Sequence, residues 1–332
     1  MSSKKKMKTN HRGDDLFLDR LFSYLNEYFS FPIHSLKRLR NQVYFVESTQ
    51  GPFILKGFSS YHRFRLQETF TASLKKEGFT NTYSFLNLVE NDVLFFDQTC
   101  YGCLEYIPPS SQPFSYINEQ DRYDGLELLH QFHQATGKIS VRYQTLIGYF
   151  KMIDKWRERT EKFLDNTPIV RFFITREMIS EMVKWANWSL KGLEKTLHSS
   201  TKREKVILHG DVAHHNFLRS TDQRLFLLDF DLISIGEASF DYLQYANRIL
   251  PFLDWSLEEL TKLERMKPYL NESAFLYALA YPADIFREWN RLIRERHYTD
   301  PSKVRPILDL SVAQFNEREK FFQELKKLIR SD

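Results

Sequence analysis

Two cysteines among 332 residues are too few for a disulfide scaffold. They are Cys100 and Cys103, and with no second Cys pair they cannot complete a four-thiolate zinc site. We read them as structural, at a turn between strands over 95–98 and 104–107. Long apolar runs are also lacking. None approaches the roughly 18 residues needed to span a bilayer, and the N-terminus has no apolar core of a secretory signal. A cytoplasmic location is the expectation. There is no solenoid-type repeat. An excess of one charge is missing from most of the chain as well. The formal net charge is +4, yet Lys4, Lys5, Lys6, Lys8 and Arg12 lie in the first twelve residues without any acid. The remainder is therefore slightly acidic, which argues against a basic groove and a nucleic-acid partner. Residues 1–14 are expected to be a disordered basic tail.

What is present is ordinary for a globular chain: 42% hydrophobic and 27% charged residues. The length allows one large or two modest domains. Leu16, Leu18, Leu21, Leu25 and Phe29 recur near one face, predicting a helix over 15–30. Strands over 43–46 and 53–55, joined through Thr49-Gln50-Gly51-Pro52, read as a hairpin. A helix is expected over about 63–76. Leu126, Leu129, Phe132 and His133 mark another. His130 and His133 have no third ligand nearby and read as packing residues. Two amphipathic helices are expected in an insert over about 141–200, one with Met152, Trp156 and Phe163, the other with Met182, Trp185 and Leu193.

The chemistry concentrates at His209-Gly210-Asp211-Val212-Ala213-His214-His215-Asn216, followed by Leu227-Leu228-Asp229-Phe230-Asp231. Val206-Ile207-Leu208 leads into it as a short strand. Extended segments at 217–219 and 224–228 flank Ser220-Thr221-Asp222-Gln223 and predict a second hairpin. A hairpin would bring Asn216 and Asp229 together. The set Asp211, Asn216 and Asp229 then offers a carboxylate to orient an attacking hydroxyl and two hard oxygen ligands for Mg²⁺ on the phosphates of ATP.

These residues resemble the aminoglycoside phosphotransferase and choline kinase superfamily, whose pattern is His-Gly-Asp, four residues, Asn, and later an apolar strand ending in Asp. The resemblance implies an α+β, bilobal protein-kinase-like fold. Its smaller N-lobe would span 15–107 with an antiparallel sheet, and a helical C-lobe would span 108–332. It implies a phosphotransferase acting on an alcohol group of a small molecule, with ATP and Mg²⁺. Asp211 matches the catalytic aspartate, and Asn216 and Asp229 match the metal ligands. His209 would pack behind the loop, Asp241 would brace it, and Asp231 would touch a second metal or bond the loop. Lys56, ending Phe53-Ile54-Leu55-Lys56, would reach the α- and β-phosphates. Glu68, with Glu77 as the alternative, would fix its head group. The backbone near Glu105 to Ile107 would bond adenine, with Pro108-Pro109-Ser110-Ser111 as the crossing between lobes. One departure is local: Leu39-Arg40-Asn41-Gln42-Val43-Tyr44 has no glycine where such kinases often carry one. Residues 278–290 resemble the spore-coat-associated branch, so a non-catalytic, structural kinase-like protein is the alternative.

Overall fold

Short apolar runs at 43–46 and 53–55 build the centre of a five-stranded antiparallel sheet, in the order β1-β2-β3-β5-β4. Its strands are β1 (Ile33–Arg40), β2 (Val43–Ser48), β3 (Phe53–Phe58), β4 (Leu94–Phe96) and β5 (Thr99–Glu105). The computed structural model describes residues 9–88, 93–197 and 204–331. The chain divides into two units: Met1–Pro113 with Leu218–Asp231, and Phe114–Phe217 with Leu232–Asp332. The boundary expected at 108 thus falls at 113, and the second hairpin joins the first unit.

Helix α1 (Thr9–Tyr28) begins before the expected residue 15, so residues 9–14 of the expected tail are helical. The rest of that tail, residues 1–8, lies outside the described residues. Strand β1 has no counterpart in the sequence reading. It is an edge strand, and most of its side chains are exposed or half-exposed. With little to bury, it shows no period of two. The β4–β5 turn is Asp97-Gln98, both with left-handed backbones (φ 48° and 60°), as a tight two-residue hairpin requires. That moves the cysteines. They are not at the turn but inside β5, three residues apart, and so they face opposite sides of the sheet. Cys103 packs with Leu25, Val46, Phe53 and Leu55. Cys100 packs with Phe58, Phe64 and Val93. Burial pushes the Cys100 thiol up to about 11 and Cys103 to about 12.

Helix α2 (Tyr61–Lys76) starts where the Ser60 side chain accepts from the Arg63 N–H, and Lys75 and Lys76 lie in its last turn. It buries Phe64, Gln67, Phe70, Thr71 and Leu74. Gly102, opposite Lys56 in the β3–β5 register, allows this approach: a Cβ there would lie 2.7 Å from the Phe64 ring.

The second unit opens with α3 (Glu119–Ile139), capped by Asn118 and carrying Glu119 and Asp121 in its first turn. Helices α4 (Met152–Val170) and α5 (Arg176–Leu197) fill the interval where two amphipathic helices were expected. Strand β6 (Val206–Leu208) follows. Next come β7 (Phe217–Arg219) and β8 (Leu225–Leu227), which form a two-stranded sheet. The hairpin joins the first unit through hydrogen bonds to residue 81. The Leu227 N–H donates to the Asn81 carbonyl at 2.9 Å, and Asn81 Nδ2 donates to the Leu225 carbonyl at 2.8 Å. Strand β9 (Ser234–Gly236) pairs antiparallel with β6. Helix α6 (Ser239–Ile249) leads into short helices α7 (Leu257–Thr261), α8 (Lys267–Leu270) and α9 (Ser273–Leu279). Then come α10 (Ala283–Arg294), α11 (Pro301–Leu308) and α12 (Phe315–Ser331). Among the described residues, no helix is long and apolar enough to cross a membrane.

Candidate active site

In the second unit, β6 carries the chain into His209-Gly210-Asp211. Gly210 has φ +79°, and a Cβ there would sit 2.3 Å from the Leu232 carbonyl oxygen, so glycine is required. One face of α6 holds this loop residue by residue. Asp241 Oδ2 accepts the His209 N–H at 2.7 Å, and Oδ1 accepts the Gly210 N–H at 3.0 Å. One turn on, Gln244 accepts from the Val212 N–H at 3.3 Å and donates to the Gly210 carbonyl at 2.9 Å. A further turn on, Arg248 Nη2 meets Asp211 Oδ1 at 2.8 Å. The spacing i, i+3, i+7 puts all three on one helical face. Behind them, His133 Nε2 lies 2.9 Å from Asp241 Oδ2. Asp241 is almost fully buried. Burial alone would push its carboxyl up, but the His133 hydrogen bond and charge, with the loop amides, hold it below its ordinary value. His209 is fully buried, and its Nδ1 accepts from the Asp211 N–H at 3.3 Å.

Asn216 closes a 3₁₀ turn (His214–Asn216) just before β7. Its Nδ2 donates to the Asp211 carbonyl at 2.8 Å and lies 3.4 Å from Asp211 Oδ2. Its Oδ1 is buried and has no hydrogen-bond partner among the described residues. A buried acceptor without a partner is costly, and its position beside Asp211 suits a ligand to a hard cation.

In the first unit, Lys56 is 6% exposed. Its Nζ lies 3.0 Å from Asp229 Oδ1 and 2.9 Å from Asp231 Oδ1. Asp229 sits in a left-handed backbone (φ +69°), and its other oxygen meets Arg40 Nη2 at 3.1 Å. Burial would raise the Asp229 carboxyl, but Lys56 and then Arg40 outweigh it and hold it below its ordinary value. The expected partner of Lys56 needs correction. Glu68 pairs instead with Arg65 at 2.6 Å, and Gln67 Oε1 takes the lysine at 3.3 Å. Gln67 shares the buried face of α2 with Phe64, Thr71 and Leu74, whereas Glu68 is turned about 100° away. Gln67 Nε2 also donates to Asp231. Glu77, the alternative, is the C-cap residue of α2.

The Glu105 N–H donates to the Ser84 carbonyl at 2.9 Å, so any contact with a base from this residue must come from its carbonyl. Ile107 is buried two residues on. Lys56, Asp229 and Asp231 therefore come together in the first unit, and His209, Asp211, Asn216 and Asp241 in the second. Sequence reasoning missed Arg40, Gln67, Gln244 and Arg248. The apolar spacing around Gln67, and the i, i+3, i+7 spacing from Asp241, were the available signals.

Among the described residues, no group of three or more His, Cys, Asp and Glu side chains is placed to hold a metal.

Residues 107–264 match the phosphotransferase enzyme family. An aminoglycoside phosphotransferase from Alicyclobacillus acidocaldarius superposes with a TM-score of 0.69 at 17% identity, covering 92% of this chain and 95% of that one. A spectinomycin phosphotransferase in complex with ADP and spectinomycin gives 0.55 at 13% identity, covering 93% of both chains. A choline kinase from Streptococcus pneumoniae gives 0.52 at 14% identity, covering 94% and 99%. The α+β kinase-like fold expected from the motif is the fold observed. Residues 107–264 are thus similar to the phosphotransferase enzyme family, and the chain has the fold seen in aminoglycoside phosphotransferases and choline kinase.

Proposed function

We propose that the protein is an ATP-dependent phosphotransferase that phosphorylates a hydroxyl group of a small molecule. The observation that carries the reading is the buried Asn216 Oδ1, without a hydrogen-bond partner among the described residues, beside Asp211 on a loop held by Asp241, Gln244 and Arg248. Asn216 and Asp229 are the residues to hold Mg²⁺, which would neutralise charge on the phosphates. Lys56 positions the α- and β-phosphates. The Glu105 carbonyl and the Ile107 backbone are offered to adenine. Asp211 orients the acceptor hydroxyl and takes its proton as the acceptor oxygen bonds to the γ-phosphorus. The bond to the bridging oxygen breaks, leaving ADP and a phosphate ester. Catalysis of this kind is mostly positioning and electrostatics.

A second reading, a kinase-like protein without transfer, is favoured by one contact. Arg40 lies on one oxygen of Asp229, the residue proposed to hold the metal. The test is calorimetry with ATP, with and without Mg²⁺, followed by a phosphorylation screen over sugars, amino alcohols and aminoglycosides. Mg²⁺-dependent binding with turnover supports transfer; absence of binding in both conditions would leave the second reading.

A further inference from the structure

Gln67 links a cation to a carboxylate within the first unit. Its Oε1 accepts from Lys56 Nζ at 3.3 Å and from the Tyr83 hydroxyl at 3.4 Å, and its Nε2 donates to Asp231 Oδ1. The same Asp231 oxygen accepts from Lys56 Nζ at 2.9 Å, so lysine, amide and carboxylate close a triangle. Lys56, Gln67 and Tyr83 are all buried. Arg63, one turn before Gln67 on α2, donates Nη1 to the Asp231 carbonyl oxygen at 3.3 Å. Asp231 is therefore docked on α2 through both its side chain and its backbone. Asp229, by contrast, is held by Lys56 and Arg40, which lie on strands.

A buried ammonium needs a counter-charge. In the kinase arrangement a helix glutamate supplies it. Here α2 presents the neutral Gln67, and the charge comes from Asp231. A glutamate at 67 could accept the same two bonds, but it would set a second carboxylate against Asp231. The amide N–H turns that contact into a hydrogen bond. The residue at 67 thus matches the charge at 231.

We infer that Asp231 is the positioning residue of Lys56: with Gln67 it keeps the ammonium in place when Asp229 turns to the metal, and it is not itself a metal ligand. The inference rests on the phosphotransferase reading for the nucleotide, but not for the triangle.

Moving the charge between the two positions tests it. Calorimetry with ATP and Mg²⁺ compares the wild type, Asp231→Asn, Gln67→Glu and the double variant carrying both. Asp231→Asn should weaken ATP binding about tenfold, the scale of one charge-assisted hydrogen bond, and leave the Mg²⁺ concentration for half-maximal binding unchanged. Gln67→Glu alone adds a third carboxylate to one lysine and should weaken binding as well. The double variant returns a single charge to the triangle and should recover most of the loss. Equal or tighter ATP binding by Asp231→Asn, a raised Mg²⁺ requirement in that variant, or a double variant no better than Asp231→Asn would each overturn the inference while leaving nucleotide binding intact. If the wild type binds no ATP, the phosphotransferase reading falls and the melting temperature decides. Asp231→Asn should then melt about 2 °C below the wild type, and the double variant should recover. Equal melting, or no recovery in the double variant, would overturn the triangle.

Discussion

Arg40 Nη2 lies 3.1 Å from Asp229 Oδ2, while Lys56 Nζ lies 3.0 Å from the other oxygen of the same carboxylate. Asp229 is thus clamped between two cations on β1 and β3, strands of one sheet separated by β2. Arg40 ends β1 at the two-residue turn Asn41-Gln42, where the chain carries no glycine. The arginine brings to this turn a charged side chain where a glycine would bring only backbone amides close to phosphate.

Removing that clamp should free Asp229 for a metal. The Arg40–Asp229 pair is partly exposed, at 43% and 20% for the two side chains, so it is worth up to about 1 kcal/mol. Arg40→Ala should therefore lower the Mg²⁺ concentration for half-maximal turnover by roughly fivefold. A raised requirement, measured at fixed ATP, would show that Arg40 helps the metal rather than competes with it.

Lys56 has a structural role beside any role with nucleotide. It is buried between two carboxylates, and its loss leaves them facing each other. Lys56→Ala should cost about 1–3 kcal/mol in urea unfolding, less than a fully buried pair because Asp231 is half exposed. A variant as stable as the wild type would mean that the carboxylates move apart freely.

Asp211→Asn and Asp229→Asn should fail differently. The first keeps size but removes the group that takes the proton, so turnover should drop about 10²- to 10⁴-fold with little change in ATP affinity. The second removes a carboxylate from a hard cation, so Mg²⁺-dependent ATP binding should weaken. Equal loss of nucleotide binding in both, measured by calorimetry, would show that the two aspartates have been assigned the wrong roles.

Asp241 sets a pH dependence of stability. Its carboxyl is held below the ordinary value in the folded protein. Its contribution is therefore complete above the unfolded value, about 4, and is lost as pH falls through the lower folded value. The gap in melting temperature between wild type and Asp241→Asn should be wide at pH 6 and narrow below about pH 4. A gap that does not change with pH would mean that the carboxylate charge contributes nothing.

The thiols should be inert. With Cys100 pushed up to about 11 and Cys103 to about 12, almost no thiolate exists at pH 8, and both side chains are buried. Iodoacetamide should label the folded protein at pH 8 far more slowly than the protein in urea. Rapid labelling of the folded state would show that β5 opens.

The sequence by itself determined the parts of this protein whose signal is local. Val206-Ile207-Leu208 before His209-Gly210-Asp211, and the polar turn between 217–219 and 224–228, specify strand, loop and hairpin from a few adjacent residues, and the structure has them. The short apolar run Phe53-Ile54-Leu55 marks β3 locally and puts Lys56 on that strand. Partners remote in sequence were decided only by tertiary structure. Lys56 meets Asp231 across 175 positions, and Arg248 meets Asp211 across 37. Such pairs depend on which helix face is buried. Gln67 rather than Glu68 reaches Lys56 because Phe64, Thr71 and Leu74 turn that face of α2 inward. The cysteines, too, were placed by the turn geometry of Asp97 and Gln98, which fixed where β5 begins and set the two thiols on opposite faces of the sheet.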